Sequence, residues 1–120
     1  GYPDQLLISP LDDQTLFMAG SAKSPGDWRT SHQADATVLR SSDGGRSWEP
    51  AALGLPEHMR GNLEAMCLAR YPGGFSLFTA TTEGDVFASD DAADSWRLIA
   101  SGLAPISKVG HYHPLQATAA

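Results

Sequence analysis

The chain has 120 residues and a formal net charge of −6, from 8 Lys and Arg against 14 Asp and Glu. This length fits one ordinary domain, and the acidic balance argues against a nucleic-acid partner, which needs a broad basic surface. No apolar run approaches the roughly 20 residues that a membrane-spanning helix requires, so no membrane span is expected.

The predicted elements, in chain order, are eight short strands in two groups of four. Apolar, β-branched and aromatic runs are separated by Gly, Pro and Asp turns, which is typical of strands. The first group covers residues 5–9, 15–20, 36–41 and 47–53, and the second covers 65–71, 75–81, 86–89 and 95–100. The expected fold is therefore all-β, with two four-stranded antiparallel meanders.

The sequence predicts whether three residues in or near the second group are buried or exposed. Cys67 lies in the apolar run EAMCLAR, which predicts a buried, inert thiol, and as the single cysteine it excludes an internal disulfide. Glu57 and Glu64 precede a strand and are expected to face solvent.

The two groups are copies of one unit. SSDGGRSW begins at Ser41 and SDDAADSW begins at Ser89, 48 residues later, and the same shift takes Gly54 to Gly102. A repeat of this period is typical of solenoids and propellers. It predicts a first unit over 1–60, with a 13-residue insertion within about 20–35, a second unit over 61–103, and a C-terminal tail over 104–120.

The repeated pattern Ser-x-Asp-x-Gly-x-Ser-Trp resembles the Asp box of the BNR-repeat β-propellers, which include sialidases, sortilin-type receptors and photosystem assembly factors. The matching residues are Ser41, Asp43, Gly45, Ser47 and Trp48 in the first copy, and Ser89, Asp91, Ser95 and Trp96 in the second. Ala93 stands where the family has Gly. The resemblance covers about Leu6 to Leu103 and implies that each unit is a propeller blade, with the box between its third and fourth strands.

The chemistry of the motif favours a structural role over a catalytic one. Short Ser and Asp side chains bond to backbone groups a few residues along a turn, and a Trp ring buries a large area against a neighbour. In the resembled family the box lies away from the ligand face, which implies the same role here.

Two blades leave the ring incomplete, since propellers have about 4 to 8 blades. The expected partners are therefore the remaining blades, supplied by a longer parent chain, by a partner fragment or by self-association. The tail over 104–120 resembles the ending of bacterial BNR-repeat proteins after their last blade, which implies a C-terminal two-blade portion of a longer chain as the first expectation. The same tail is a candidate ring-closing strand.

The insertion holds the candidate ligand-binding residues, because it leaves its unit opposite the Ser-x-Asp turn and long loops on rigid scaffolds often carry function. They are Asp27, Trp28, Arg29, His32 and Asp35. An arginine can form charge-assisted hydrogen bonds with a carboxylate, and an indole ring can stack on a sugar or a peptide side chain. The alternative is a solvated loop that packs Trp28 on its own unit.

These observations favour a non-enzymatic binding module whose ligand is a glycan, a peptide or a protein. No catalytic residue, metal site or cofactor is expected; two histidines, His111 and His113, are too few for a specific metal site. The alternative is a fragment of a sialidase-like glycoside hydrolase whose catalytic residues lie mostly in other blades. The cellular compartment stays open, either extracytoplasmic or cytoplasmic.

Overall fold

The described part of the chain forms eight strands in two four-stranded antiparallel sheets. The computed structural model describes residues 2–22, 31 and 34–107. In chain order the strands are β1 (Tyr2–Ile8), β2 (Leu16–Ser21), β3 (Thr37–Ser41), β4 (Glu49–Pro50), β5 (Leu63–Tyr71), β6 (Gly74–Thr81), β7 (Val86–Ser89) and β8 (Arg97–Ala100). Each strand pairs with the next, so sheet 1 runs from β1 to β4 and sheet 2 from β5 to β8. The predicted pair of antiparallel four-stranded meanders is confirmed.

The fourth strand of sheet 1 is shorter than the sequence predicts. β4 contains only Glu49 and Pro50, and a proline has no N–H to donate to the ladder. The Ala51 N–H still donates to the Val38 carbonyl at 2.9 Å, after which the chain leaves the sheet towards β5.

Each sheet has two faces, because successive side chains of a strand point to opposite sides. The pairing of β1, β2 and β3 places one set of residues on what we call the front face of sheet 1, and this set is Leu7, Phe17, Ala19 and Val38. Its back face carries Leu6, Ile8, Leu16, Met18 and Leu39. The same positions in sheet 2 give a front face of Ala65, Cys67, Phe78, Ala80 and Val86, and a back face of Met66, Leu68, Leu77, Thr79 and Phe87.

The hydrophobic core lies where the front face of sheet 1 meets the back face of sheet 2. Phe17 and Leu77 are fully buried there, and the Phe17 ring lies 6.1 Å from the ring of Phe75. Val38 and Phe87 belong to the same cluster of buried side chains. The two sheets are therefore packed face to face, and each keeps one face turned away from the other.

The sheets share two ends, which differ in their connections. At the turn end lie two turns that we call turn 1 (residues 41–48) and turn 2 (residues 89–96), between β3 and β4 and between β7 and β8. At the loop end lie the β2–β3 connection, the β6–β7 turn (residues 82–85), and the segment 51–62 that links the sheets. Among the described residues, no helix is long and apolar enough to cross a membrane.

Two predictions about single residues were wrong. Cys67 is exposed, because its position in β5 puts it on the front face of sheet 2, which sheet 1 does not cover. Glu64 is buried rather than solvated, because the chain after β8 returns over the start of β5 and Ser107 Oγ donates to its carboxylate at 2.7 Å. Glu57 is exposed, as predicted.

Candidate functional site

Turn 1 is held by hydrogen bonds within its own eight residues. Ser41 Oγ accepts from the Gly45 N–H at 2.8 Å and donates to Asp43 Oδ1 at 2.8 Å. The Asp43 carboxylate then accepts from both the N–H and the hydroxyl of Ser47, at 2.9 and 2.6 Å. Both carboxylate oxygens are thus used inside the turn.

Turn 2 repeats these bonds although it lacks the glycine. Ser89 Oγ donates to Asp91 Oδ1 at 2.8 Å and accepts from the Ala93 N–H at 3.0 Å. The N–H and the hydroxyl of Ser95 donate to Asp91 at 2.8 and 2.5 Å. Ala92 and Ala93 take positive φ values of 57° and 71°, so alanines occupy a conformation that normally favours glycine.

The two turn aspartates are held as carboxylates by these donors. The bond from the Ser47 hydroxyl, followed by the Ser47 N–H, lowers the pKa of Asp43 from 3.8 to about 2. Bonds from the Ser95 hydroxyl and N–H likewise lower the pKa of Asp91. A carboxyl group with so low a pKa holds no proton at neutral pH, so it cannot serve as a general acid.

The tryptophans of the two turns have different surroundings. Trp96 is 5% exposed, and its indole N–H donates to the Ala51 carbonyl of the other unit at 2.8 Å. Trp48 is half-buried, and its indole N–H donates to Gly45 within its own turn at 3.1 Å. Packing of the ring against a neighbouring unit is therefore seen for Trp96.

Arg40 joins the two sheets at the turn end. Its guanidinium donates to the Ala92 carbonyl at 2.9 Å and to Asp94 at 2.6 Å in turn 2, and to Glu49 of β4 at 3.0 Å. The bond with Asp94 contributes most to raising the pKa of Arg40. The polar groups of this end thus stabilise the contact between the sheets.

The loop end holds a pocket of about 360 Å³ between the two units, lined by both polar and apolar side chains. His58 and Arg60 come from the segment that links the sheets, and Glu83 and Asp85 come from the β6–β7 turn. The approach is close, because a Cβ added to Gly61 would lie 2.8 Å from Glu83 Cγ. The pocket therefore brings an imidazole, a guanidinium and two carboxylates together.

Asn62 fixes the inner side of this end. Its backbone carbonyl accepts from the Thr82 N–H at 3.0 Å, and its side-chain Nδ2 donates to Asp4 at 2.7 Å. Its side-chain Oδ1 is buried and accepts no hydrogen bond from the described residues. Buried polar atoms nearly always have a hydrogen-bond partner, and Asn62 Oδ1 is an exception among the described residues.

Of the predicted ligand-binding residues, Asp35 is described. It lies at the loop end with a φ of 50°, and its N–H donates to the Met59 carbonyl at 3.1 Å. Its carboxylate lies 3.6 Å from Nδ1 of His58. The others lie outside the described residues, and they are Asp27, Trp28, Arg29 and His32; His111, His113 and most of the predicted closing strand also lie outside.

The sequence pattern did not predict that the residues lining this pocket lie close together. Glu83 and Asp85 lie in the turn between the predicted strands 75–81 and 86–89, and this turn forms with Thr81 Oγ1 accepting from the N–H groups of both residues. What was missed is that the segment of His58 and Arg60 crosses that turn. The available signal was the alternation of the meander, which brings the β2–β3 connection and the β6–β7 turn to one end.

No three metal-binding side chains cluster within the described ranges. No family model matches the chain, and no curated protein is significantly similar to it.

Proposed function

We propose that the chain is a non-enzymatic binding module, two blades of a β-propeller of the Asp-box type, and that its ligand binds at the loop end. The observation that carries this proposal is the contrast between the ends. At the turn end, the side chains of Ser41, Asp43, Ser89 and Asp91 bond within their own turns. The other two aspartates of turn 2 accept from arginines of the two sheets, Asp94 from Arg40 and Asp90 from Arg97. At the loop end, ionisable side chains converge on an open pocket.

The loop-end pocket has the chemistry to bind a polar ligand. Arg60 is exposed at the pocket and can pair with a carboxylate of a peptide or of an acidic sugar. Glu83 and Asp85 can accept hydrogen bonds from hydroxyl or amide groups of the same ligand. A glycan, a peptide or a protein loop offers these groups, and the insertion with Trp28 and Arg29 begins at this end.

Binding of the 120-residue chain to glycan and peptide arrays tests the proposal, followed by titration of the best hit. We expect Arg60→Ala and Glu83→Ala each to weaken binding at least about tenfold, the effect of losing a charge-assisted contact. Trp28→Ala combined with Arg29→Ala measures what the insertion adds.

Arg46→Ala is the matched control, because Arg46 is an exposed arginine in turn 1, at the opposite end. Affinity should stay unchanged in this variant. Equal loss in Arg46→Ala and Arg60→Ala, or no loss in any loop-end variant, would contradict binding at the loop end. Turnover of fluorogenic sialosides or other glycosides by the chain would contradict the non-enzymatic role.

A further inference from the structure

Both sheets are apolar on both faces, although within the described residues each sheet packs against the other through one face. On the back face of sheet 1, Leu6 and Ile8 are 58% and 60% exposed, and Met18 and Leu39 are half-buried. An antiparallel sheet that faces water on one side normally alternates apolar and polar residues. The back face of sheet 1 therefore has the composition of a face that is covered.

We call the back face of sheet 1 and the front face of sheet 2 the outer faces. Because the two sheets are repeats, each outer face has the same residue positions as one of the two faces that pack together. The front-face residues Phe17, Ala19 and Val38 of sheet 1 recur at the same positions of sheet 2 as Phe78, Ala80 and Val86. The back-face residues Leu77, Thr79 and Phe87 of sheet 2 correspond to Leu16, Met18 and Leu39 of sheet 1. Because the front of sheet 1 packs on the back of sheet 2, the front of sheet 2 matches the back of sheet 1.

The contact between the units has a second, polar part that involves Trp96. Besides its indole bond to Ala51, the Trp96 N–H donates to the Leu53 carbonyl at 2.8 Å. Gly54 then packs so closely that an added Cβ would lie 2.1 Å from the Trp96 carbonyl oxygen. A tryptophan of one unit is thus received by a glycine-containing segment of the other.

The glycine-containing segment and the tryptophan of this contact each have a repeat counterpart that does not take part in it. Gly102 occupies the repeat position of Gly54 and also has a positive φ, of 71°, but an added Cβ would meet no atom of the described residues within 4 Å. Ile99, which occupies the position of Ala51, is exposed. At the other end, Trp48 stands at the position of Trp96 with its ring half-buried.

We propose that a second copy of this chain docks head to tail, with the front face of sheet 2 of one copy on the back face of sheet 1 of the next. The contact continues the packing that already joins the two sheets, and Trp48 of one copy enters beside Gly102 of the other. Such a heterologous contact forms a ring if the rotation closes and a filament if it does not. The faces would pair in this way whatever binds at the loop end.

The contact between copies lacks one feature of the contact within a copy. Ala88 stands in sheet 2 where sheet 1 has Arg40, so the bonds from Arg40 to Ala92 and Asp94 have no counterpart there. We therefore expect self-association to depend on concentration, while each copy stays folded when diluted.

Sedimentation of the chain over a concentration series, under reducing conditions, tests the proposal. We expect a mass above that of one chain at high concentration. Leu6→Glu, on the back face of sheet 1, and Cys67→Glu, on the front face of sheet 2, should each reduce the mass. Leu11→Glu is the matched control, since Leu11 is 68% exposed in the β1–β2 turn, outside both faces, and this variant should associate normally.

Mixing the two single-face variants separates a head-to-tail contact from a symmetric one. Each variant keeps one intact face, and these two faces are complementary, so the mixture should form a 1:1 pair that grows no further. A symmetric dimer through one outer face would instead be disrupted by one variant only, and mixing would restore nothing. That result would overturn the proposal, as would a wild-type mass of one chain at all concentrations.

A disulfide provides a readout that does not depend on placing a charge on a sheet. In Leu6→Cys, the introduced thiol on the back face should lie close to the native Cys67 of the next copy. Leu6 and Cys67 occupy the repeat positions of Met66 and Leu7, which both pack in the hydrophobic cluster between the sheets. Mild oxidation removes two electrons and two protons from the two thiols and should yield covalent dimers and longer chains. Leu11→Cys is the control, and equal cross-linking in both variants would contradict the geometry.

Discussion

The side chains of Ser41 and Asp43 accept hydrogen bonds from backbone N–H groups of turn 1, which connects β3 and β4. The same residue types at the same spacing do so in turn 2, with bonds that differ from those of turn 1 by at most 0.2 Å. Local side-chain bonds of this kind need no distant partner, so the chemistry of a few consecutive residues decides the geometry.

Turn 2 shows that alanine can hold the glycine position when something compensates. A left-handed conformation costs a non-glycine residue about 1–2 kcal/mol. Ala93 is fully buried within the core, and burying its methyl group stabilises the fold by roughly 0.8 kcal/mol. Ala92 also adopts a positive φ, so burial of the Ala93 methyl group offsets only part of the conformational cost of turn 2.

The turn aspartates predict how stability depends on pH. The folded-state pKa values of Asp43 and Asp91 are lowered, so their contribution is fully present above their ordinary value of 3.8. It is lost as the pH falls through the folded value, about 2 for Asp43. Thermal unfolding followed by circular dichroism should show the melting temperature falling between about pH 4 and about pH 2.

Asp43→Asn isolates this effect, because the amide keeps one oxygen acceptor and removes the charge. We expect a lower melting temperature than wild type at pH 6 and a smaller decrease on acidification. Glu57→Gln, an exposed carboxyl group outside both turns, should follow the wild-type curve. Parallel curves for wild type and Asp43→Asn would show that the turn carboxylate does not contribute to acid sensitivity.

At the scale of elements, strand alternation explains both the strand assignments and the errors at single positions. β2 begins Leu-Phe-Met-Ala, four consecutive apolar residues, which is typical of a strand covered on both faces. β5 is similar, and its apolar context suggested that Cys67 is buried. Alternation alone assigns Cys67 and Met66 to opposite faces, but it does not say which face another sheet covers.

The two tryptophans should contribute unequally to stability because of where their units pack. Truncating a buried Trp to Ala costs about 3–5 kcal/mol, and Trp96→Ala also removes the bond to Ala51 that joins the sheets. Trp48→Ala should cost less, because Trp48 is half-buried and bonds within its own turn. Urea unfolding at low protein concentration measures the difference, and equal losses would contradict a specific inter-sheet role for Trp96.

At the scale of the whole molecule, two glycines at one repeat position report on two different contacts. An added Cβ at Gly54 would collide with the Trp96 carbonyl, so Gly54→Ala forces the two sheets apart. We expect it to destabilise the chain by more than about 3 kcal/mol, beyond the roughly 1–2 kcal/mol of a positive φ alone. At Gly102 the same substitution contacts none of the described residues and should cost only the backbone strain.

Chemical unfolding of dilute Gly54→Ala and Gly102→Ala compares the two positions directly. Gly102→Ala should unfold close to wild type, yet it should weaken self-association at high concentration if Trp48 of another copy packs there. Equal destabilisation by both substitutions would show that the contact at Trp96 adds nothing to the conformational cost. Unchanged self-association in Gly102→Ala would indicate that this edge lies outside the contact between copies.

The sequence by itself determined the eight strands, the repeat and the two turns. These features depend on local chemistry: alternation within a strand, a positive φ at Gly or Ala, and hydroxyl and carboxylate bonds that span at most four residues. They depend mainly on neighbouring residues, so a single sequence is sufficient to predict their presence.

Only the tertiary structure decided which residues are covered and which meet. Trp96 is buried and Trp48 half-buried because segment 51–54 packs against one of them, and Glu64 is buried because Ser107 returns to it. His58 and Glu83 share a pocket because the connection between the sheets crosses the β6–β7 turn. Burial and convergence arise from contacts between segments far apart in sequence, and no local pattern encodes which of two equivalent faces another sheet will cover.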